Sequence, residues 1–494
     1  MTLSTLLSER AKIFPRHTLI KFNQDKLTYS DINRRVDLKS GGLVNLGLKA
    51  DDRAAILMEN CPEYIISYFG ILRAGGIAVP VNSFLTPVEI SYILKDSGAR
   101  ILIYDSGFIS QVKKIKEGMP DLNAVSFDDI PQRMSEAHEE DNDKTAVLLY
   151  TSGTTGFPKG VMLTHANLLS NAGACMKVMH LSGRDRILLF LPLFHSFSFT
   201  VCVILPIYAG ASIVLLRSVK PFSGVIKSIF RDRITFFVAI PAVYNILSKK
   251  RVPLFLKYIL KLLIDIKVCV SGAAALPEDT LKAFEDRFKL PLIEGYGLTE
   301  AAPVVSVNPP DGIRKPSSVG PPLPGVDVKV IGEDGGSLPA GRIGELLVRG
   351  PNVMKGYFNN SEETEAVLRD GWLYTGDMAK IDEDGYIYIV DRKKDLIVAS
   401  GMNIYPVEIE NVIIKHPSVE ESAMVGIPYR NGEEVPVLFI KKMSDAMLDE
   451  KEIRSYMDVK IAPFKKPRRI IFVDDFPRTA TGKIKKADLR KWKI

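Results

Sequence analysis

The stretch Arg53-Ala-Ala-Ile-Leu-Met58 decides the fold class of this chain, because it opens a repeated alternation of strands and helices. Its apolar run predicts a buried strand, and Pro62 predicts the first turn of an apolar helix. Ile77-Ala-Val-Pro-Val81 predicts the next strand. Thr86-Pro-Val-Glu89 then predicts a capped helix start, and Ile101-Leu-Ile-Tyr104 a third strand. This βαβαβ pattern predicts an α/β fold with a parallel sheet and helices on its faces.

The alternation of strands and helices continues along the chain and then gives way to short strands separated by turns. Further apolar strands are predicted at residues 235–240 and 267–270, and ligands of such sheets bind beyond the carboxyl ends of the strands. After about residue 310, turns rich in proline and glycine separate short alternating strands, such as residues 326–331 and 344–349. These predict a β-rich subdomain.

A charged strip, Asp391-Arg-Lys-Lys-Asp395, precedes roughly a hundred residues of mixed helical and strand pattern. Exposed charged strips often mark linkers between domains. We therefore predict a multidomain protein, with an N-terminal domain over residues 1–392 and a small α+β C-terminal domain over residues 395–494. The predicted hinge lies near residues 393–394.

The bulk composition is that of a globular protein. The chain has 494 residues, 46% of them apolar and 25% charged, so more than one domain is expected. The net charge of +7 suits anionic small ligands such as nucleotides and does not indicate nucleic acid binding. The four cysteines form no C-x-x-C pair, so we expect no zinc site or disulfide framework, and a reducing, cytoplasmic compartment fits. No basic and apolar leader pattern begins the chain, so we expect no secretory signal.

One long segment, residues 187–216, contains no Lys, Arg, Asp or Glu and is long enough to span a bilayer. Pro192, Pro206 and the polar pair His195-Ser196 argue against a membrane span. We therefore interpret this segment as a buried region that lines an apolar pocket.

The run Tyr150-Thr-Ser-Gly-Thr-Thr-Gly-Phe-Pro-Lys-Gly160 follows a predicted strand and combines hydroxyls, glycines and one lysine. Glycines let backbone N–H groups point inward at an anion, hydroxyls add donors, and Lys159 adds a positive charge. The spacing is not that of a Walker A loop. Because a flexible linker rarely follows an apolar strand and carries a single lysine, we predict a phosphate-binding loop.

Three further motifs carry chemically useful groups. Gly295-Tyr-Gly-Leu-Thr-Glu300 offers a stacking ring and a carboxylate suited to Mg²⁺. Tyr374-Thr-Gly-Asp377 ends in a carboxylate that can accept two hydroxyls, and Arg478-Thr-Ala-Thr-Gly-Lys483 places a lysine after a glycine turn. Taken singly, they also fit a surface turn, a common hairpin and a basic tail.

In their order along the chain, these motifs and the charged strip resemble the adenylate-forming superfamily, which includes acyl-CoA synthetases, amino-acid adenylation domains and firefly luciferase. The resemblance covers nearly the whole chain. It implies a large N-terminal domain of two layered αβ subdomains plus a β-rich one. It also implies a small C-terminal domain that caps the first and rotates about a hinge.

The resemblance implies roles for individual residues. The implied ATP-phosphate residues are Thr151, Ser152, Gly153, Thr154, Thr155, Gly156 and Lys159. The implied adenine residues are Gly272, Ala273, Ala274, Tyr296 and Gly297, and the implied ribose residues are Asp377 and Arg392. Thr299 and Glu300 are implied to hold phosphate and Mg²⁺, Lys394 to form the hinge, and Lys483 to stabilise the adenylation transition state. The implied acyl and CoA pocket includes His195, Gly295 and Gly401.

The implied reaction has two steps. A carboxylate attacks the α-phosphate of ATP and gives acyl-AMP and pyrophosphate. Because carboxylates are ionised at neutral pH, this step needs no general base, and catalysis rests on alignment and on charge neutralisation by Mg²⁺, Lys483 and the loop donors. The C-terminal domain then rotates, and the thiol of coenzyme A attacks the mixed anhydride and releases AMP.

The acid is expected to be apolar. No Asp or Glu lies between Arg186 and Arg217 to pair with a substrate ammonium group, and an unpaired ammonium in an apolar pocket is costly, so amino acids are disfavoured. The stretch from Asp391 to Pro406 looks most like bacterial long-chain fatty acyl-CoA ligases. It departs from the Gly-Gly-Glu-Asn of many superfamily members, since this chain has Ser400-Gly-Met-Asn403.

We therefore expect a ligase that joins a medium- or long-chain fatty acid to coenzyme A. The alternatives are a ligase for an aryl or other apolar acid, a fatty acyl-adenylate ligase that loads a carrier protein, and an inactive acyl or nucleotide sensor. The chain ends soon after Lys483, so no fused carrier domain is expected. The basic apolar segment 249–264 either touches the anionic inner face of the membrane or is a solvated lysine stripe. The oligomeric state is left open, a homodimer included.

Overall fold

The structure is a computed structural model of the chain, and it describes residues 1–494 apart from 135–140, 152–157, 250–263, 400–401, 429–433, 445, 459, 479–483 and 493–494. The described α-helices are α1 (Leu3–Ile13), α2 (Tyr29–Asn45), α3 (Pro62–Arg73), α4 (Pro87–Ser97), α5 (Ile109–Gly118), α6 (His165–Met179), α7 (Ser196–Phe199), α8 (Leu205–Ala209), α9 (Phe222–Arg231), α10 (Pro241–Lys249), α11 (Glu278–Phe288), α12 (Ser361–Val367), α13 (Pro406–Ile413), α14 (Glu450–Asp458) and α15 (Lys486–Leu489).

The described strands are β1 (Thr18–Phe22), β2 (Asp25–Thr28), β3 (Arg53–Leu57), β4 (Ile77–Pro80), β5 (Ile101–Tyr104), β6 (Asn123–Ser126), β7 (Thr145–Thr151), β8 (Lys159–Thr164), β9 (Arg186–Leu189), β10 (Ser212–Leu215), β11 (Phe236–Ala239), β12 (Val268–Ser271), β13 (Leu292–Gly297), β14 (Val304–Val307), β15 (Asp327–Ile331), β16 (Gly344–Arg349), β17 (Gly356–Tyr357), β18 (Leu368–Arg369), β19 (Trp372–Ile381), β20 (Ile387–Arg392), β21 (Ile397–Ala399), β22 (Met402–Ile404), β23 (Val419–Pro428), β24 (Glu434–Lys442) and β25 (Arg469–Val473).

The chain divides into two compact units. The first unit comprises residues 1–328 and 348–373, and the second comprises residues 329–347 and 374–494. Helices and strands alternate through the first unit, and the second mixes short helices with antiparallel and parallel strands. The predicted α/β multidomain fold is confirmed. The predicted boundary near residues 393–394 stays a prediction, since the second unit gathers residues from both sides of it.

The first unit contains two large sheets. One has the strand order β14-β13-β12-β11-β9-β10-β1-β2, and its inner strands run parallel from β1 to β13. The other has the order β17-β8-β7-β4-β3-β5-β6, in which β6, β5, β3, β4 and β7 run parallel while β8 and β17 run antiparallel to their neighbours. The parallel sheet predicted from the βαβαβ segment is confirmed, because β3 pairs with both β4 and β5 in parallel.

The second unit is built from smaller sheets. In it β16 lies between β15 and β19, and β20 pairs with β19 in an antiparallel hairpin. Strand β24 lies between β23 and β25 and pairs antiparallel with the first and parallel with the second. Apolar side chains of α13 and α14, including Ile409 and Ile453, pack in one buried cluster with residues of this sheet.

Local signals in the sequence account for several element ends. At the start of α4, the Thr86 hydroxyl accepts a hydrogen bond from the Glu89 N–H, and Glu89 Oε2 accepts one from the Thr86 N–H at 2.8 Å. This is the predicted capping box, in which side chains satisfy backbone donors that have no partner inside the helix.

The uncharged segment 187–216 folds as β9, α7, a π-helical turn (Thr200–Ile204), α8 and β10. Most of its residues are buried in the first unit. Among the residues that the structure describes, no helix is both long enough and apolar enough to cross a membrane. The segment is divided into short helices and strands, and no helix in it approaches the length needed to span a bilayer.

A buried carboxyl group lies on β13, opposite the last residue of β12. Glu294 on β13 is 7% exposed, and its Oε1 accepts a hydrogen bond from the Leu276 N–H at 2.8 Å. Burial raises the pKa of Glu294 to about 7, and the hydrogen bond from Leu276 opposes that rise. Because an ordinary glutamate has a pKa of 4.5, the folded state binds this proton more tightly than the unfolded state. The resulting stabilisation is complete below the ordinary pKa and is lost as the pH rises through about 7.

We predict that Glu294→Gln removes part of the pH dependence of stability. Glutamine keeps the shape and a hydrogen-bond acceptor but does not ionise. Between about pH 5 and about pH 8, the free energy of unfolding of the unmodified protein should fall by up to about 3 kcal/mol relative to the variant. Urea unfolding at several pH values measures this difference. The exposed Glu362→Gln is the control, and parallel pH curves for the protein and Glu294→Gln would contradict the prediction.

Candidate active site

Two neighbouring strands bring the predicted adenine residues to one edge of a sheet. Strands β12 and β13 pair in parallel, with Ser271 opposite Glu294. Residues 272–274 therefore leave the sheet beside residues 295–297, which continue β13 and pair with β14. Ligands of parallel sheets bind at this carboxyl edge. The structure thus places Gly272, Ala273, Ala274, Gly295, Tyr296 and Gly297 together in the first unit.

Gly272 is the point where α7, part of the segment predicted to line an apolar pocket, approaches the predicted adenine residues. A Cβ atom at position 272 would lie 2.7 Å from Cζ of Phe197, so a larger residue here would displace the Phe197 ring. The next residue, Ala273, has a φ of +69°, in the left-handed region that residues other than glycine seldom adopt. A tight turn therefore packs directly against the ring of Phe197 on α7.

A pair of hydroxyls joins the same helix to the predicted phosphate residue Thr299. His195 caps α7, and its Nδ1 accepts a hydrogen bond from the Phe197 N–H at 3.3 Å. The next side chain, Ser196, has its Oγ 3.2 Å from Oγ1 of Thr299. The structure thus brings His195 and Thr299 to the same region, and it adds Ser196, for which no separate role was predicted.

Glu300, the predicted Mg²⁺ ligand, follows in a short 3₁₀ turn, Thr299–Ala301. Its Oε1 accepts a hydrogen bond from the Tyr357 hydroxyl at 3.0 Å. Burial and the nearby carboxylates of Glu300 and Glu363 raise the pKa of Tyr357 well above its usual range, so the phenol keeps its proton and donates. Sequence reasoning missed Tyr357, because it belongs to no predicted motif and lies 57 residues along the chain from Glu300.

Lys159 begins β8 at the end of the predicted phosphate loop. It lies opposite Thr151 in the antiparallel pair of β7 and β8. Its Nζ is 2.6 Å from Oε1 of Glu363 and 5.6 Å from the centroid of the Tyr357 ring. Glu363 was also missed from the sequence. The loop residues Ser152, Gly153, Thr154, Thr155 and Gly156 lie outside the described part of the chain.

The residues near Glu300 fit a Mg²⁺ ion that is shared with a nucleotide. The described residues contain no group of three or more His, Cys, Asp or Glu side chains that could hold a metal by themselves. Mg²⁺ keeps several waters and usually takes one or two carboxylates together with substrate phosphates. A single carboxylate, held by a phenol hydroxyl, matches that pattern.

The predicted ribose residues lie in the second unit. Asp377 on β19 is opposite Arg392 on β20, and Asp377 Oδ1 is 2.8 Å from Nε of Arg392. The Asp377 side chain is 3% exposed whereas that of Arg392 is 51% exposed. The ribose role of Asp377 and Arg392 stays a prediction. Gly401, predicted for the acyl and CoA pocket, lies outside the described residues.

The predicted hinge lysine, Lys394, lies in a 3₁₀ turn, Lys393–Asp395. Burial, and then the positive charge of Arg392, lowers the pKa of Lys394. Its neighbour Asp391 is buried and accepts hydrogen bonds from the backbone N–H groups of Arg392 at 2.8 Å and Val407 at 3.0 Å. Within the charged strip Asp391 is therefore buried, whereas Arg392 and Lys393 are exposed, as the sequence predicts.

Lys483 lies outside the described residues, but both of its flanks are described. On one side, Nη2 of Arg478 donates to Glu421 at 2.7 Å. On the other, Nζ of Lys486 is 2.8 Å from Oε1 of Glu410. Burial opposes the charge on Lys486, but Glu410 and Asp391 outweigh it and raise its pKa. Ion pairs therefore hold both flanks of the Lys483 segment to the second unit.

Comparison with known proteins identifies the family. The model of the AMP-binding enzyme family matches residues 7–358, and that of the AMP-binding enzyme C-terminal domain matches residues 408–483. A long-chain-fatty-acid–CoA ligase of Bacillus subtilis (strain 168) is 36% identical over 98% of this chain and 93% of its own length. A feruloyl-CoA synthase of an Amycolatopsis species is 34% identical over 98% of this chain and 97% of its own.

A solved structure has the same fold over the whole chain. The crystal structure of ATP-bound MatB from Rhodopseudomonas palustris is similar with a TM-score of 0.92 and 32% identity, and the match covers 99% of each chain. Both family domains, the full-length relatives and this likeness point to the same family. The chain therefore belongs to the AMP-binding enzyme family and is an acyl-CoA ligase of that family.

Proposed function

We propose that the protein activates a medium- or long-chain fatty acid with ATP and Mg²⁺ and transfers the acyl group to coenzyme A. The observation that most supports this substrate is the uncharged segment 187–216, which is mostly buried and carries Phe194, Phe197 and Phe199. The Phe199 ring packs on Tyr68 with centroids 4.1 Å apart. Such surroundings suit an alkyl chain, since apolar area removed from water contributes roughly 25 cal/mol per Å².

The first step joins the acid to AMP. A carboxylate oxygen attacks the α-phosphorus, the new P–O bond forms, and pyrophosphate leaves with the electron pair of the broken bond. Residues 272–274 and Tyr296 hold adenine, Asp377 with Arg392 holds ribose, and residues 151–156 with Lys159 and Thr299 hold the phosphates. Glu300 would hold Mg²⁺, which would neutralise negative charge on the phosphate oxygens. Lys483 stabilises the negative charge that develops in the transition state.

The second step transfers the acyl group. The sulfur of coenzyme A attacks the carbonyl carbon of acyl-AMP, a thioester forms, and AMP leaves with the electrons of the broken C–O bond. Lys394 acts as the hinge, and we assign His195, Gly295 and Gly401 to the binding of the acyl group and coenzyme A. A change of conformation between the two steps lets one site serve both.

An aryl acid is the second candidate, and one observation favours it. The feruloyl-CoA synthase relative is nearly as similar to this chain as the fatty-acid ligase is. Planar rings and alkyl chains both suit aromatic pocket walls. A carrier protein as acceptor is a weaker alternative, and the sensor without activity is set aside, because the chain is a ligase of this family. Contact of segment 249–264 with anionic membranes also belongs to this proposal, although residues 250–263 lie outside the described part of the chain.

We predict that fatty acids stimulate pyrophosphate release from Mg²⁺·ATP, and that acyl-CoA forms when coenzyme A is present. The measurement is pyrophosphate release and thioester formation across short-, medium- and long-chain fatty acids, benzoate, cinnamate, ferulate and several amino acids. Amino acids should be inactive, because no carboxylate in the uncharged segment pairs with their ammonium group. A preference for ferulate or cinnamate would replace the fatty-acid assignment with the aryl one. If no acid in the panel stimulated pyrophosphate release or formed a thioester with coenzyme A or a carrier protein, the assignment of these acids as substrates would be contradicted.

We also predict that Lys483→Ala slows acyl-AMP formation about 10²- to 10³-fold, because one preorganised cation at the transition state is lost. Thioester formation from supplied acyl-AMP and coenzyme A should remain within about twofold of normal, since this step does not use that charge. The control is Lys485→Ala, which removes an exposed lysine two positions away. Normal acyl-AMP formation by Lys483→Ala would contradict the assigned role.

A further inference from the structure

Two side chains outside every predicted motif contact the predicted Mg²⁺ ligand and the predicted phosphate lysine. The Tyr357 hydroxyl donates to Glu300 at 3.0 Å, and the same ring lies 5.6 Å from the ammonium of Lys159. Glu363 pairs with Lys159 at 2.6 Å. All four residues belong to the first unit. A carboxylate, a phenol, an ammonium and a second carboxylate thus form one chain of contacts.

Backbone hydrogen bonds fix the segment that carries these two side chains. The N–H of Met354 donates to the carbonyl of Glu300 at 2.8 Å. The N–H of Phe358 donates to the carbonyl of Gly160 at 2.7 Å, and β17 pairs antiparallel with β8, with Tyr357 opposite Val161. The segment is therefore bonded on one side to the Thr299–Ala301 turn and on the other to the strand that begins with Lys159.

The turn into α12 is also built around a close contact. The Tyr357 N–H donates to Oγ1 of Thr364 at 2.9 Å, and that hydroxyl donates to the carbonyl of Asn360. Gly356 has a φ of +146°, and a Cβ atom there would lie 2.8 Å from Cγ2 of Thr364. These contacts fix Tyr357 relative to α12, the helix that presents Glu363.

We propose that Tyr357 and Glu363 are positioning residues of the ATP site. The Tyr357 hydroxyl holds the Glu300 carboxylate in the orientation that binds Mg²⁺. Glu363 is the counter-ion that Lys159 gives up when the phosphates of ATP arrive. This inference rests on the proposed function, in which Glu300 binds the metal and Lys159 binds phosphate.

The two residues should act in opposite directions on the nucleotide. Removal of the Tyr357 hydroxyl leaves Glu300 free to rotate, so the metal binds a less ordered carboxylate. Removal of the Glu363 charge takes away a competitor of the phosphates, so the ammonium of Lys159 is more available to ATP. A segment that merely supported the fold would give losses of the same sign in both variants.

The test for Tyr357 is Tyr357→Phe, which keeps the ring beside Lys159 and removes the hydroxyl. The Mg²⁺ concentration for half-maximal acyl-AMP formation should rise about tenfold, as expected for the loss of a hydrogen bond to a carboxylate, and the KM for the acid should stay unchanged. Tyr388→Phe is the matched control, because Tyr388 donates to Asp382 at 3.1 Å and has no assigned part in the reaction. An unchanged Mg²⁺ dependence in Tyr357→Phe would overturn the role of Tyr357.

The test for Glu363 is Glu363→Gln, with the exposed Glu365→Gln on the same helix as the matched change of charge. The KM for ATP and the inhibition constant of pyrophosphate should both fall about threefold in Glu363→Gln, as the loss of a partly exposed ion pair allows. Glu365→Gln should leave both constants unchanged. A KM for ATP that rises, or that falls equally in both variants, would overturn the role of Glu363.

Nucleotide binding separates this inference from the proposed function. Calorimetric titration with Mg²⁺·ATP needs no acid, so it reports on the four residues even if the acid is misassigned. The expected result is weaker binding by Tyr357→Phe and tighter binding by Glu363→Gln. Inactivity of the unmodified protein toward all acids, with these binding changes present, would reject the fatty-acid assignment and retain the inference. Normal fatty-acid activity of the unmodified protein, with unchanged Mg²⁺·ATP binding in both variants, would retain the fatty-acid assignment and reject the inference.

Discussion

Charge balance is the constraint on which the site depends. A cation that binds a nucleotide needs a partner where it is partly dehydrated, because an unpaired charge there is costly. Both described cations that we assign to the nucleotide are paired with a carboxylate, Lys159 with Glu363 and Arg392 with Asp377. One ion pair links α12 to β8, and the other links the facing strands β19 and β20.

The same principle organises the flanks of the Lys483 segment. Arg478 and Lys486 contact Glu421 and Glu410, and Arg490 adds a contact with Asp395 at 2.6 Å. Lys486 is the most buried of these three cations, and the negative charges of Glu410 and Asp391 raise its pKa. A segment that presents a lysine to a transition state gains from such anchoring, because a small misplacement of a charged group costs much of its catalytic effect.

Sequence reasoning succeeded where the determinants are local. The capping box at Thr86 and the strands β3, β4 and β5 follow from short patterns that need no tertiary information. Tyr357 and Glu363 could not be predicted in the same way. Their relevance arises from the pairing of β17 with β8, which joins segments about two hundred residues apart. Glu294 offered a weak signal, an acid at the end of an apolar strand, and its meaning depends on the burial that the fold imposes.

The strength of each ion pair follows from its exposure, and this decides whether the pair can be exchanged. A fully buried pair is hard to break, since leaving one charge unpaired costs about 3–5 kcal/mol, whereas an exposed pair contributes about 0–1 kcal/mol. The side chains of Lys159 and Glu363 are 12% and 30% exposed, between these limits. Their attraction is therefore sufficient to order the lysine in the free enzyme and weak enough for phosphate oxygens to replace the carboxylate. An enzyme that must bind ATP and then release pyrophosphate needs a cation whose ion pair in the free enzyme is of intermediate strength.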